Sequence, residues 1–185
     1  MSLRVLGIAG SLRAGSYNRA LIRMAAEVAP PGVEMRLYEG LGSIPPYNAD
    51  VEAKGDPDSV VAFKTAIGEA DALLIATPEY NYGVPGVLKN AIDWASRPSG
   101  KSVLNRKPAA IMGATPGATG TARGQLALRQ SFVFTETYVL LRPEVLVARA
   151  HEKFDAQGRV TDEGTRKLVR QLVEALTEWT RRLAS

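Results

Sequence analysis

Apolar runs of strand length alternate with helical patterns along the whole chain. Within the helical patterns, apolar side chains recur at intervals of three and four residues, as on the buried face of a helix. The run at residues 72–76 is apolar throughout, which is typical of a strand covered on both faces of its sheet. The five predicted strands occupy residues 3–9, 33–38, 72–76, 109–114 and part of 138–147.

The first two helical patterns carry clear start and stop signals. The helix predicted over residues 19–29 ends before Pro30-Pro31, because proline cannot continue a helix. A long loop follows the second strand and covers residues 39–55. Asp56-Pro57 then offers an N-cap and a first-turn proline for a second helix, whose apolar face carries Val60, Phe63 and Ile67.

Three further helices are predicted in the rest of the chain. The third follows Gly83-Val84-Pro85, and the fourth covers residues 121–134. The last begins at Asp162-Glu163 and ends at Arg181-Arg182, so that its charges complement the helix dipole. Its buried side is predicted to carry Leu168, Leu172, Val173, Leu176 and Leu183.

Five strands alternating with five helices predict a doubly wound α/β domain, with a parallel sheet and helices on both faces. No linker or internal repeat interrupts residues 1–185, so a single domain is expected. In a sheet of order 2-1-3-4-5, strands one, three and four are neighbours. Because ligands bind at the carboxyl ends of such strands, the loops that follow these three strands are expected to meet in one crevice.

The composition is that of an ordinary globular protein, with 45% hydrophobic and 23% charged residues. No apolar run is long enough to cross a membrane, and the N-terminus lacks a signal-peptide pattern. A cytoplasmic protein with no membrane partner is therefore expected. The sequence contains no cysteine, which excludes disulfides, thiolate metal sites and thiol redox pairs. Any redox chemistry must therefore use a bound cofactor.

The net charge of +4 favours anionic ligands. A nucleic-acid surface is not expected, because the basic residues are scattered along the chain. The densest pairs, Arg166-Lys167 and Arg181-Arg182, share the predicted last helix with acidic residues, as on a solvated helix face.

The loop after the first strand, residues 11–18, is suited to binding a phosphate. Its hydroxyls and backbone N–H groups are donors, Arg13 adds fixed charge, and the following helix adds the positive end of its dipole. The glycine spacing does not fit a dinucleotide fingerprint, and Ser16-Tyr17 stands where a P-loop has lysine and a hydroxyl residue. A plain turn between strand and helix is the alternative.

Two more loops add to this picture. Residues 78–83 carry Tyr80 and Tyr82, which could lie against a flat heterocycle or could simply cap the core. Residues 115–120 are small enough to let backbone approach a ligand, or they form a flexible connector. A phosphate at one end of the crevice and a flat ring at the other predict a mononucleotide cofactor.

Two motifs, residues 10–18 and residues 78–94, together resemble the NADPH-dependent FMN reductase family, and within it the bacterial chromate and quinone reductases. The resemblance implies a flavodoxin-like fold that binds FMN noncovalently. It also implies that the first loop binds the phosphate and that the other two loops flank the isoalloxazine ring. The implied cofactor-binding residues are Ser11, Arg13, Ser16, Tyr17, Asn18, Pro78, Glu79, Tyr80, Asn81, Thr115, Pro116 and Gly117.

The same resemblance implies an oxidoreductase that passes hydride equivalents from NADPH or NADH through FMN to a small acceptor. The acceptors implied are quinones, chromate, azo or nitro compounds, and free flavin. No side chain is required as a catalytic acid or base, so the single histidine, His151, is assigned no role, and no metal is expected. One alternative is a flavodoxin-type electron carrier that binds FMN without oxidising nicotinamide. The other is a binding or scaffold module without flavin.

A homodimer or homotetramer with the flavin at a subunit boundary is also implied by the resemblance. The interface candidates are the helix after Gly83 and the segment around Arg123 and Arg129. Trp94, at the edge of that helix's apolar stripe, is compatible with a contact between subunits or with core packing.

Overall fold

A parallel sheet of six strands forms the centre of the computed structural model, which describes residues 2–184. The strand order is β2-β1-β3-β4-β5, with β6 also paired to β4. This is the order of flavodoxin-like doubly wound sheets, so the expected fold is confirmed. The strands are β1 Leu3–Ala9, β2 Val33–Leu37, β3 Ala72–Ala76, β4 Pro108–Ala114, β5 Tyr138–Val139 and β6 Val145–Val147.

The predicted fifth strand is divided into two short pieces. Both pieces pair with β4, Tyr138 opposite Pro108 and Val145 opposite Met112. Pro143 lies in the interval between them and has no N–H to donate to a ladder. The chain therefore leaves the sheet after β5 and returns to it at β6.

Helices cover both faces of the sheet. Helices α1 and α6 pack on one face, and α3, α4 and α5 pack on the other. The predicted long loop after β2 contains a 3-10 turn, Gly40–Ser43, and the one-turn helix α2. The helices are α1 Tyr17–Glu27, α2 Ala49–Glu52, α3 Asp58–Glu69, α4 Gly86–Ala95, α5 Ala122–Phe134 and α6 Glu163–Ala184.

The start of α3 differs from the prediction. Asp56 was expected to cap the helix, but its carboxylate pairs with the Lys64 ammonium group at 2.5 Å. Pro57 occupies the N-cap position and provides no side-chain hydrogen bond. The acidic group therefore stabilises the helix through an ion pair with its second turn.

The buried stripe of α6 also differs at two positions, because Leu168 and Leu183 are exposed. Thr177 and Thr180 occupy buried positions instead. Their hydroxyls donate to the carbonyls of Val173 and Leu176, four residues earlier, at 2.8 and 2.7 Å. A threonine can line an apolar interface in this way because the helix itself satisfies its hydroxyl group.

Trp94 lies inside the chain's own core and is fully buried. Its indole N–H donates to the Pro45 carbonyl at 2.8 Å, and its ring meets the Tyr47 ring edge-on at 5.0 Å between centroids. Asn90, one turn earlier on α4, accepts from the Tyr47 N–H at 2.7 Å. Of the two alternatives for Trp94, core packing is therefore the one observed, and it fastens the long loop to α4.

Gly113 provides a direct test of packing within β4. A Cβ atom there would lie closer than 3.0 Å to the Thr121 hydroxyl and to the backbone carbonyl of Thr77. Gly113→Ala is therefore expected to lower the free energy of unfolding by about 1–3 kcal/mol, as measured by urea denaturation. Gly68→Ala in α3 is the control, because a Cβ there meets no atom within 4 Å. It is expected to raise stability by up to about 1 kcal/mol; equal effects at the two sites would contradict the packing argument.

Candidate functional site

A cleft opens at the carboxyl ends of β1, β3 and β4, where the three predicted loops meet. Its empty space is about 390 Å³, including the part open to solvent. Ten of the twelve residues predicted for the site line it, and Asn81 and Gly117 do not. Ala114 also lines the cleft and was not predicted, because it is the last residue of a buried strand rather than a loop residue. The lining residues are Ser11, Arg13, Ser16, Tyr17, Asn18, Pro78, Glu79, Tyr80, Ala114, Thr115 and Pro116.

One end of the cleft is rich in hydrogen-bond donors. Ser16 caps α1, and its hydroxyl oxygen accepts from the Arg19 N–H at 3.3 Å, which leaves the hydroxyl hydrogen free to donate. The N–H groups of Tyr17 and Asn18 have no acceptor among residues 2–184. Ser11 is buried beside them. Unpaired donors at the positive end of a helix dipole are suited to an anion such as a phosphate.

Arg13 lies on the exposed rim of this end. Its guanidinium donates to the Gly15 carbonyl at 2.8 Å and lies 5.9 Å from the centroid of the Tyr17 ring. The arginine thus folds back over its own loop, and its charge stays next to the unpaired N–H groups of the helix start.

The Asn18 side chain ties the first loop to the end of β4. Its amide donates to the Ala114 carbonyl at 3.0 Å and accepts from the Ala114 N–H at 2.9 Å. The side chain is almost completely buried. These two hydrogen bonds engage the side-chain amide in holding α1 against β4, and the backbone N–H of Asn18 has no acceptor within residues 2–184. Phosphate binding by Asn18 stays a prediction.

A tight turn carries the two tyrosines of the second loop. Tyr80 and Gly83 exchange backbone hydrogen bonds of 3.2 and 2.9 Å, and the two residues between them, Asn81 and Tyr82, have φ values of 50° and 66°. These are features of a type I′ turn, in which tyrosine is unusual. Tyr80 and Tyr82 are 51% and 69% exposed as whole residues, so they do not cap the core.

Glu79 connects this turn to the start of α5. Its carboxylate accepts from the Arg123 Nε at 2.7 Å and from the Gly124 N–H at 3.0 Å, and its side chain is only 6% exposed. Burial opposes the charged form, but the hydrogen bonds from Gly124 and Arg123 outweigh it and lower the pKa of Glu79. The carboxylate is therefore ionised and fully engaged, which fits a structural role better than proton transfer.

The third loop is hydrogen-bonded to the last residue of β6 and to the residues that follow that strand. The Thr115 N–H donates to the Val147 carbonyl, and the Thr115 and Gly117 carbonyls accept from the N–H groups of Ala150 and Arg149, each at 3.0 Å. The connector is thus supported along its backbone. Pro116 and Gly117 stay exposed at the mouth of the cleft.

The described part of the chain offers little support for a catalytic histidine, a metal site or a membrane-spanning helix. His151 is exposed beside Glu152, with 3.6 Å between its Nε2 and the nearer carboxylate oxygen. Within residues 2–184, no three histidine, aspartate or glutamate side chains are grouped as metal ligands. No helix in the same range is long and apolar enough to cross a membrane. The donor-rich end and the aromatic end together fit a phosphate-bearing molecule with a flat ring.

Comparison with known proteins agrees with this geometry. A family model described as NADPH-dependent FMN reductase matches residues 3–152. An NAD(P)H-dependent FMN reductase of Pseudomonas aeruginosa is 52% identical over 181 residues, which cover 98% of this chain and 97% of that protein. A 2-hydroxy-1,4-benzoquinone reductase of a Burkholderia species is 39% identical over 181 residues, 98% of each chain.

A solved structure shows the same architecture. A flavoenzyme NAD(P)H:(acceptor) oxidoreductase from Paracoccus denitrificans superposes with a TM-score of 0.87 at 38% identity. The match covers 97% of this chain and 98% of that one.

Proposed function

The chain belongs to the NADPH-dependent FMN reductase family, and on that basis we propose that it passes electrons from NAD(P)H through bound FMN to quinones. The observation that carries the proposal is that the three loops meet in one shared cleft. The donor-rich start of α1 and Tyr80 of the aromatic turn both line this cleft. The relatives with matching lengths include one named a quinone reductase, which supports quinones as the acceptor class.

The residues present fit FMN. The hydroxyls of Ser11 and Ser16, the unpaired N–H groups at the start of α1 and the Arg13 guanidinium would hold the phosphate. Pro78, Tyr80, Thr115 and Pro116 would flank the ring. When bound, FMN supplies two-electron transfer, which no side chain of this cysteine-free chain provides. The chain's own residues bind and orient the reactants, and none of them is assigned a proton-transfer step.

Anaerobic mixing with NADPH and with NADH tests the function. We expect either nucleotide to bleach the visible absorbance of the FMN-loaded protein. We expect a quinone to restore it. A flavin that stays oxidised with both nucleotides would leave a flavodoxin-type carrier as the better description. A colourless protein that takes up no FMN would favour a module without flavin.

The range of acceptors is a separate part of the proposal. Chromate, azo and nitro compounds and free flavin are included because an open cleft with exposed aromatic rings does not select strictly by shape. A steady-state panel of these acceptors, run with NADPH and with NADH, would rank them. We expect a quinone to give the highest kcat/KM, and a higher value for another class would reassign the substrate.

Arg13→Ala tests the phosphate end. Removing this charged donor is expected to weaken FMN binding by about 1.5–3 kcal/mol, which is roughly 10- to 150-fold in Kd. Fluorescence titration of the apoprotein with FMN measures the change. Arg23→Ala is the control, because Arg23 is an exposed arginine of α1 that does not line the cleft. Equal FMN Kd values for the two variants would mean that Arg13 does not bind the phosphate.

We also propose a cytoplasmic homodimer or homotetramer. Helix α5 exposes an apolar stripe, in which Val133 is 79% and Phe134 87% accessible, with Leu126 one heptad before Val133. Light scattering of the wild type is expected to give at least twice the monomer mass of 19.9 kDa. Val133→Glu should lower that mass, and Leu168→Glu, on the exposed side of α6, should not.

A further inference from the structure

We propose that Arg123 is a positioning residue that couples the aromatic turn, residues 80–83, to the third loop, and so sets the wall at which the acceptor meets the cofactor. This inference rests on the proposed function, since it concerns the same cleft. Arg123 does not line the cleft, and the sequence interpretation offered it only as a candidate for a subunit interface.

The Arg123 side chain contacts three groups that belong to two different loops. Its Nε donates to Glu79, and its Nη2 lies on the same carboxylate oxygen. The Nη2 also donates to the Thr119 hydroxyl at 3.2 Å. The guanidinium carbon lies 3.5 Å from the centroid of the Tyr82 ring, a stacking distance. One planar cation thus fixes the base and tip of the aromatic turn and a point on the third loop.

Both Glu79 and Tyr82 depend on their contact with Arg123. The Glu79 carboxylate is nearly inaccessible to water, so without the Arg123 guanidinium it would be a buried charge held only by backbone N–H groups, those of Gly124 and of residue 123 itself. Tyr82 has a positive φ, which is costly for a side chain with a Cβ, and stacking on the guanidinium offsets that cost. Two backbone hydrogen bonds close the turn, and the arginine fixes its position relative to the third loop.

Arginine is needed here for its shape as well as its charge. A planar guanidinium can donate in its plane to Glu79 and Thr119 while its face stacks on an aromatic ring. A lysine ammonium keeps the charge but cannot make both kinds of contact. Arg123→Lys therefore removes the coupling with little change in net charge or volume.

The contact is separate from the donor-rich end of the cleft. None of the hydrogen bonds or ion pairs of Arg123 involves residues 11–18. Loss of the coupling should therefore disturb the wall near the ring and leave the phosphate end in place. This gives a signature that general unfolding would not give: FMN affinity nearly unchanged, and acceptor recognition impaired.

Hydrogen exchange on the apoprotein tests the coupling without any bound cofactor. Arg123→Lys is expected to speed amide exchange in residues 79–83 and 115–119 together. Arg129→Lys is the matched control: this arginine lies on the same helix and donates to the Leu140 carbonyl at 3.0 Å. The proposal would be overturned if Arg123→Lys speeds exchange in only one of the two segments or in neither. It would also be overturned if Arg129→Lys speeds exchange to the same extent.

Steady-state kinetics with a quinone tests the consequence for the acceptor. For Arg123→Lys we expect KM to rise about tenfold while kcat changes less than about threefold, and for the control Arg129→Lys we expect both to stay close to the wild-type values. The FMN Kd of Arg123→Lys should change by less than about threefold, in contrast to Arg13→Ala. An unchanged KM in Arg123→Lys, or the same rise in Arg129→Lys, would overturn the link to the acceptor. If NAD(P)H does not reduce the FMN-loaded wild-type protein, the proposed function is refuted. The hydrogen-exchange result would still test the coupling by Arg123, because it is measured on the apoprotein.

Discussion

Trp94→Ala is expected to lower the free energy of unfolding by about 3–5 kcal/mol. The indole is fully buried, and its removal leaves a cavity between α4 and the loop after β2. It also leaves the Pro45 carbonyl without the donor that now lies 2.8 Å away. Urea denaturation followed by far-UV circular dichroism measures the loss, because that signal does not depend on the deleted chromophore.

Trp94→Phe separates the two contributions. Phenylalanine keeps most of the ring volume but has no N–H, so we expect a smaller loss of about 1–3 kcal/mol. The alanine variant should also be cleaved faster by proteases in residues 44–48, since only the hydrogen bonds of Asn90 and the apolar packing of Ile44 and Tyr47 would then hold that segment to α4. If the alanine and phenylalanine variants are equally stable, the cavity argument is wrong.

Asn18→Ala is expected to cost about 2–4 kcal/mol of stability and to weaken FMN binding as well. Two buried backbone groups of Ala114, its N–H and its carbonyl, lose their partner in this variant. The same change releases the donor-rich start of α1 from the end of β4. The loss of stability and the weaker FMN binding should appear together, because the same side chain supports the end of β4 and the start of α1.

Asn48→Ala provides the comparison for that result. Asn48 caps the short helix α2 with one exposed hydrogen bond to the Asp50 N–H. Its loss is expected to cost about 0.5–1 kcal/mol and to leave the FMN Kd unchanged. Urea denaturation and FMN titration of both variants measure the difference. An Asn18→Ala protein that is no less stable than Asn48→Ala would show that the tie to β4 is dispensable.

The fold could be predicted from the sequence, because the buried strands and helix faces of a doubly wound sheet each produce a local pattern of apolar residues. The strand over residues 72–76 is apolar at every position and is in fact the middle of the sheet. The meeting of the three loops also followed from the sequence, since parallel strands bring their carboxyl ends to one edge. Ten of the twelve predicted side chains line the resulting cleft, and their contact with FMN stays a prediction.

The ties between the loops could not be predicted in this way. Asn18 and Ala114 are 96 residues apart, and Glu79 and Arg123 are 44 apart. No periodic pattern relates such positions, because the contact depends on side-chain direction at the ends of different elements. The exposed leucines of α6 were mispredicted for a related reason: apolar periodicity cannot detect a threonine whose hydroxyl the helix itself satisfies.

The division of the last strand has a consequence for how copies of this protein can associate. On that side of the sheet only two residues of β5 and three of β6 are in strand conformation, with Pro143 between them. On the opposite side, β2 turns the charged side chains of Glu34 and Arg36 outward. Neither border is a long, flat template for another strand. The homodimer or homotetramer proposed above would therefore be built through helices rather than through sheet edges. Growth of the sheet from edge to edge, the route by which exposed β-structure forms fibres, is disfavoured.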